Sequence, residues 1–529
     1  MVTLGSTSII FAVFFLPYLV TSIHHRHLDD ANANFYCCLS YEYGNQSHID
    51  NIVHTKLSQS YQSILESSIH NARFNDPNVP KPYYIIVPEN KEQVRAAMIC
   101  CKNSGLETRI RSGGHDFEGL SYISYKPFCL VDLYSLRKID IDVQEKTAWV
   151  EAGATLGELH YNIANKSKTL AFPAGIWPSI GVGGHISGGG QGPLMRKHGL
   201  AADNVLDATI LNINGTILDR RGMGEYLFWA IRGGGAASFG VVLSWKLQLV
   251  EVPPVVTLFN VIRTQEEGAT KLVRKWQKLV KEFPEELFLR INISPKIGPS
   301  SIEASFNSIY LGTRYHLLRL MRRTFPELNL KFRDCQEMSW INSTIRLDSY
   351  RNDTTIQDLL KRKDKRATFY KIKSDYVTKA LSEKALDRLW NAFQNIGDAL
   401  VHFTPYGGKM SEILEDAIPF PHRKGVLYNI EYFAMWQYPN QTVEKIKFDW
   451  VNGVYDYMGK FVSKPRTAYL NARDLDLGRT QNGSEKYSEA KSWGEMYFKG
   501  NFEKLARVKY SVDPGNYFRN EQSIPPLGS

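Results

Sequence analysis

Hydrophobic and polar positions follow two rhythms along this chain, one with helical spacing and one with strand spacing. Residues 58–71 carry Tyr61, Ile64, Leu65 and Ile69 on one helical face, and the prolines between 77 and 82 close that unit. Residues 83–87 read as a strand and 91–103 as a helix. Alternating strands are predicted over 128–150, and a helix over 155–167 that ends in a polar turn. The stretch 206–218 completes a first lobe, and Pro253-Pro254 punctuates its end. Beyond it, strands at 258–262, 287–293 and 304–311 alternate with amphipathic helices at 268–283, 315–325 and 381–396. That order suits a sheet covered by helices. The first 22 residues are mostly apolar, with the densest run at 9–20, and the polar HHRHLDD follows. The run is too short to span a bilayer, so a secretory signal peptide is expected, although it lacks a basic start. No other stretch is apolar enough to be a membrane span.

Composition adds to this picture in three places. At 529 residues the chain exceeds one typical domain and can bury two cores. Its net charge of +10 is spread throughout, and the densest run, KRKDKR at 361–366, suits a solvated helix face or loop. No basic motif is interleaved with aromatics, so nucleic acid is not an expected partner. The six cysteines, Cys37, Cys38, Cys100, Cys101, Cys129 and Cys335, show no C-x-x-C spacing and no nearby histidine pairs, so no metal site is expected. In an oxidising lumen they point to a disulfide instead. Eight N-x-[ST] sequons, at Asn45, Asn165, Asn214, Asn292, Asn342, Asn352, Asn440 and Asn482, make glycosylation an expectation behind a signal peptide.

Candidate chemistry lies in two glycine-rich stretches and one strand. Residues 109–122 read RIRSGGHDFEGLSY. Two adjacent glycines let successive N–H groups turn inward as an anion nest, where a pyrophosphate would fit with Arg109 or Arg111 nearby. An ordinary turn with a satisfied loop histidine is the alternative. Residues 180–192 read IGVGGHISGGGQG, too rich in glycine for a stable helix or strand interior. The spacing fits neither a G-x-G-x-x-G fingerprint nor a P-loop. Because Trp177, Ile180, Val182, His185 and Ile186 stand among the glycines, the stretch is read as a loop passing close to a flat, bulky ligand rather than as a linker. In 426–436, VLYNIEYFAMW, strand alternation places Leu427, Asn429, Glu431 and Phe433 on one face and Tyr428, Ile430, Tyr432 and Ala434 on the other. A carboxylate in that company lies at a wet edge or serves a site. The residues alone favour the wet edge.

RSGGHDFEGLSY, PAGIWPSIGVGGHISGGGQG, LMRKHGLAADNVLDA, FWAIRGGGAASFGVV and the terminal DPGNYFRNEQSIPPL together resemble the berberine-bridge-enzyme-like oxidases of plants, collinearly from about residue 35 to 527. The resemblance implies a two-lobed α+β fold of the vanillyl-alcohol-oxidase type, with an FAD domain beside a substrate domain whose antiparallel sheet is covered by helices. Its boundaries would be a signal peptide at 1–22, an N-terminal segment at 23–77, the FAD domain at 78–252, the substrate domain at 253–465, and a C-terminal segment at 466–529 returning to the FAD lobe. It implies FAD tethered at its 8α-methyl group by His115. Arg111, Ser112, Gly113, Gly114, Ser179, Gly181, Gly183, Gly184, His185, Gly188, Asn204 and Val241 would line the cofactor, with His185 near the pyrimidine edge or ribityl chain. The family's disulfide aligns with Cys38 and Cys100, though Cys37 and Cys101 sit next door. NIEY matches the family pattern in which the glutamate is the base, which assigns that role to Glu431.

Departures from the family redirect the expected chemistry. Trp177 stands where many members have a cysteine bonded to flavin C6, so His115 is left as the single tether and the indole is expected to fill the freed space. Ala472 replaces a proton-handling tyrosine (NARDLD for NYRDLD), Phe117 a frequent tyrosine, and Gln191 a frequent aromatic. With Asn429, residues Phe117, Trp177 and Ala472 are read as substrate-pocket positions. Ile180 occupies the gatekeeper position for oxygen. The expected function is an FAD-dependent oxidase of plant specialised metabolism acting on an alkaloid or phenolic, with molecular oxygen as the second substrate. Two other readings stand beside it: a carbohydrate or monolignol oxidase, and a flavoprotein that catalyses a cyclisation without net redox. The chain is read as a monomer of the secretory route, bound for the extracellular space, the vacuole or an ER-derived vesicle.

Overall fold

The computed structural model describes residues 34–44, 46–295, 301–347, 354–362, 368–480 and 486–529. The expected signal peptide, most of the 361–366 basic run, and the sequons at Asn45, Asn352 and Asn482 lie outside the described residues. Of the basic run, Lys361 and Arg362 are described. Arg362 is no solvated residue: it donates to Glu158 at 2.8 Å and to the Gly153 carbonyl at 2.8 Å.

The first lobe holds two larger sheets and a two-stranded pair, Leu170–Ala171 with Val250–Glu251. Tyr84–Ile86 and Glu107–Arg111 both run parallel to Phe128–Asp132, and Val53–His54 closes the edge. The helix Lys91–Asn103 crosses between two of these strands, started by Asn90, whose side chain accepts from the Gln93 N–H. Its buried Val94, Ala97 and Met98 face the core. The second sheet is antiparallel, in the order Ile139–Asp142, Thr147–Glu151, Val241–Gln248, Val205–Leu211, Ile217–Leu218. The helix Leu156–Lys166 begins in a capping box, Thr155 with Glu158, which satisfies two end N–H groups reciprocally. The chain end returns to this core: Trp493, Tyr497, Phe502 and Leu505 from two late helices pack into it. Cys38 and Cys100 form a disulfide across 62 residues and tie the N-terminal segment to the Lys91–Asn103 helix.

The second lobe is a seven-stranded antiparallel sheet. Its order is Cys335–Met338, Val256–Thr264, Ile302–Tyr310, Leu287–Pro295, Ala399–Pro405, Tyr428–Trp436, Phe369–Val377. Strand alternation divides its side chains. Tyr428, Ile430, Tyr432 and Ala434 join Val273, Trp276, Met321, Trp390 and Val451 in one core under the helices. The opposite side chains, among them Asn429, Glu431 and Phe433, face the first lobe. Buried charges lock the lobes together there. Lys371 reaches Glu118 at 2.5 Å and Asp474 at 2.7 Å, and Lys373 reaches Asp474 at 2.8 Å. Arg466 forks onto Asp375 with two bonds of 2.7 Å.

Candidate active site between the lobes

The strand Glu107–Arg111 ends in a loop that two neighbours press from opposite sides. A Cβ on Gly114, which has φ +73°, would lie 1.9 Å from the Ser68 carbonyl oxygen. One on Gly113 would lie 2.2 Å from the Gly181 nitrogen. Adjacent glycines are therefore required, because backbone meets backbone on both sides. Ser112 donates to the Ala152 carbonyl at 2.5 Å. His115 emerges from the loop into a cavity of about 260 Å³ that Gly181, Gly183, Gly184, His185, Gly188 and Gly235 also line.

The second glycine stretch departs from expectation at its centre. Val182–Ser187 is a short helix rather than a loop. Packing overrides propensity: Val182 and Ile186 are fully buried in the first core. At Gly184 nothing lies within 4 Å of where a Cβ would stand, so a bare backbone face is presented to the cavity. His185 accepts the Gly175 N–H at Nε2, 3.0 Å away. Burial, with His160 beside it, pushes its pKa down to about 3, so the ring is neutral and carries its proton on Nδ1. His115 is likewise held well below the ordinary imidazole value by burial and by His70. A cavity lined by glycine backbone, with two neutral imidazoles in its wall, suits the flat isoalloxazine end of FAD.

Four expected cofactor residues, Arg111, Ser179, Asn204 and Val241, are not in the cavity wall. Arg111 is fully buried and turned away, donating to Asp132 at 2.6 Å and to the Ile64 and Leu65 carbonyls at 2.7 Å each. A lone buried guanidinium must be paired, and Asp132 is its partner. Arg109 reaches the rim but is engaged with the Ile123 and Arg519 carbonyls and with Glu521. Asn204 spends its amide on the His198 and Leu200 carbonyls, both at 2.9 Å. Val241 points into the first core, while Gly240 and Val242 line the cavity. Ser179 acts through His115, its Oγ 2.9 Å from Nε2.

On the sheet side, Glu431 lies in register between Ser374 on one neighbouring strand and His402 on the other. Glu431 keeps partial exposure and is not among the residues lining the cavity; desolvation by its neighbours still raises its pKa to about 7 against the opposing pull of Arg290. A carboxyl in open water keeps its ordinary value, so the raised value goes with a sheltered position more than with a wet edge. Tyr376, Tyr406 and Tyr469 feel the charge of Glu431. Tyr469 Oη accepts the Gly190 and Gln191 N–H groups at 3.2 Å and the Asn471 amide at 3.1 Å. Gln191 donates its side-chain amide to Tyr406 Oη at 3.0 Å, joining the glycine stretch to the sheet. Sequence reasoning missed these three tyrosines and His70. The only signal available was their place beside the quoted motifs, as with Tyr469 two residues before Asn471.

The pocket positions divide. Phe117 packs edge-on to Tyr370 and Phe433, with ring centroids 5.5 and 6.0 Å away, and lines the cavity. Asn429 is fully buried and donates to the Asp375 carbonyl at 2.9 Å. Ala472 is buried between Asn471 and Arg473, both cavity residues. Trp177 does not fill the space left by a thioether: its indole is 44% exposed and outside the cavity wall. Among the sequons, Asn165, Asn214, Asn342 and Asn440 are exposed. Asn292 instead sits partly buried in a central strand, with Oδ1 2.6 Å from His402 Nδ1, a poor place for a glycan. Among the described residues no cluster of His, Cys, Asp or Glu is arranged to hold a metal, and no helix is long and apolar enough to cross a membrane.

Residues 82–220 match the family model described as FAD binding domain, and residues 468–525 the one described as berberine and berberine like. The chain is 48% identical to tetrahydroberberine oxidase of Berberis wilsoniae, covering 99% of both chains. It is 47% identical to berberine bridge enzyme-like 18 of Arabidopsis thaliana, covering 94% of this chain and 92% of the relative. Among solved structures, that of BBE-like #28 from Arabidopsis thaliana superposes with a TM-score of 0.89 at 44% identity, covering 94% of this chain and 100% of the other. The grass pollen allergen Phl p 4, described as having glucose dehydrogenase activity, superposes with a TM-score of 0.89 at 43% identity, covering 93% and 100%.

Proposed function

The chain belongs to the berberine-bridge-enzyme-like family of FAD-dependent oxidoreductases, and from that premise we propose that it oxidises an alkaloid or phenolic of plant specialised metabolism with Glu431 as base. FAD bound in the cavity would supply acceptance of a hydride at N5 and return of the electrons to oxygen as hydrogen peroxide. His115 would hold the isoalloxazine end covalently and by itself, since Trp177 offers no thiol. His185, neutral and carrying its proton on Nδ1, would donate toward the pyrimidine edge or ribityl chain. Glu431 takes the substrate proton as the hydride departs. The observation that carries this reading is the place of Glu431 on the sheet face toward the first lobe, in register between Ser374 and His402; desolvation there raises its pKa to about 7, which suits a base near neutrality. Ala472 and Phe117 cannot take a proton, so no second base stands at the family's other positions.

The similarity to a tetrahydroberberine oxidase favours an alkaloid. A carbohydrate oxidase is the second reading, supported by the likeness to a pollen glucose dehydrogenase and opposed by the missing tyrosine. Ile180 lines the cavity and is read as the gate that tunes oxygen access. The disulfide and the exposed sequons support passage through an oxidising secretory route to the extracellular space, the vacuole or an ER-derived vesicle. The test is anaerobic mixing of the purified protein with alkaloids, phenols and sugars. Loss of the yellow flavin absorbance identifies the substrate class. Product formed without that loss would overturn the redox reading in favour of a cyclisation.

A further inference from the structure

The ring of His70 lies flat on that of His115, with centroids 3.6 Å apart and planes inclined by 20°. His70 is itself fixed, because its Nε2 donates to the Gly113 carbonyl at 3.0 Å. Its segment is pressed against the same loop, as the Ser68 backbone at Gly114 shows. On the edge of His115, Ser179 Oγ meets Nε2 at 2.9 Å. The imidazole is thus constrained on a face by His70 and on an edge by Ser179, while it borders the cavity. No step of the proposed oxidation uses this arrangement.

We propose that His70 is a positioning residue for covalent attachment of FAD, holding the His115 ring at the orientation from which Nδ1 reaches the 8α carbon. This rests on the reading of His115 as the tether. Attachment forms a C–N bond between Nδ1 and the 8α carbon, and one C–H bond at that carbon breaks. The hydrogen lost there and the imidazole N–H proton leave with an electron pair that reduces the isoalloxazine. Molecular oxygen then removes two electrons and two protons as hydrogen peroxide. The nucleophile must be a neutral imidazole, and burial beside His70 keeps His115 neutral. Nε2 is the nitrogen that must carry the proton, and Ser179 is placed to accept it. Orientation matters because a misplacement of about 1 Å costs on the order of 100-fold in rate.

The experiment compares wild type, His70→Phe, His70→Leu and His115→Ala, each purified with FAD. Total FAD per chain is measured, along with the share retained by acid-precipitated protein during incubation in air with added FAD. His70→Leu is expected to bind FAD at the wild-type ratio but to attach it at least tenfold more slowly. His70→Phe, which restores a flat ring over His115, is expected to recover most of the rate. A covalent share in His70→Leu that rises as fast as in wild type overturns the proposal. So does a phenylalanine variant no faster than the leucine one. If wild type releases its FAD on precipitation, or His115→Ala retains it, the tether itself has been misassigned, and the role of His70 falls with it.

Discussion

Replacing Glu431 by glutamine keeps the volume and the hydrogen-bonding atoms of the side chain and removes only its titration. The carboxyl moves from 4.5 to about 7 on folding. That rise corresponds to a cost of about 3 kcal/mol for the ionised form. Two consequences follow with definite signs. A base of pKa about 7 is mostly protonated in mild acid, so flavin reduction should fall about tenfold for each pH unit below 7. The glutamine variant should be slower by about 10²–10⁴ and should lack that acid limb. For stability, the unfolded chain releases its proton at the lower value. The contribution of Glu431 is therefore fully present below about 4.5 and lost as pH rises through about 7. Between mild acid and mild alkali, wild type should lose up to about 3 kcal/mol relative to Glu431→Gln. The assays are anaerobic flavin reduction with the substrate found by mixing, at equal flavin loading, and urea unfolding of both proteins across the same pH range. A glutamine variant that reduces its flavin at the wild-type rate refutes Glu431 as the base. A stability difference that does not change with pH refutes the buried, raised carboxyl itself.

Other expectations concern the frame around the site. Replacing Cys38 and Cys100 with serine frees a loop of 62 residues and should cost about 4 kcal/mol in the chain-entropy account, read as a lower urea midpoint. Arg466→Ala strands Asp375, which is buried and already raised to about 6, so the variant should lose about 3–5 kcal/mol of stability in thermal or urea unfolding. Peptide mapping of protein from a plant secretory host should find glycan at exposed positions such as Asn165, Asn214, Asn342 and Asn440. It should find none at Asn292, which lies partly buried in a central strand, and a glycopeptide there would refute that expectation.

Much of the frame was legible in the chain itself. The helix predicted at 91–103 spans Lys91–Asn103, and the one predicted at 155–167 lies within its caps Thr155 and Ser167, because capping residues and apolar spacing are local signals. Alternation in VLYNIEYFAMW sorted Glu431 from Tyr432 correctly, since a strand has only two faces. The two glycine-rich stretches were legible as places of close backbone approach, since Gly113, Gly114 and Gly181 tolerate nothing larger. What stayed hidden depended on partners distant in sequence. Arg111 looked like a phosphate ligand until Asp132, 21 residues on, claimed it. The helix at Val182–Ser187 forms against its propensity because Val182 and Ile186 find a core to enter. Tyr376, Tyr406 and Tyr469 converge on Glu431 from three separate segments, and His70 meets His115 across 45 positions. Periodicity and caps are written within a few residues of where they act. The charge state of a buried carboxyl and the stacking of two rings are set only when chain closure removes water and chooses neighbours, so they belong to the tertiary structure alone.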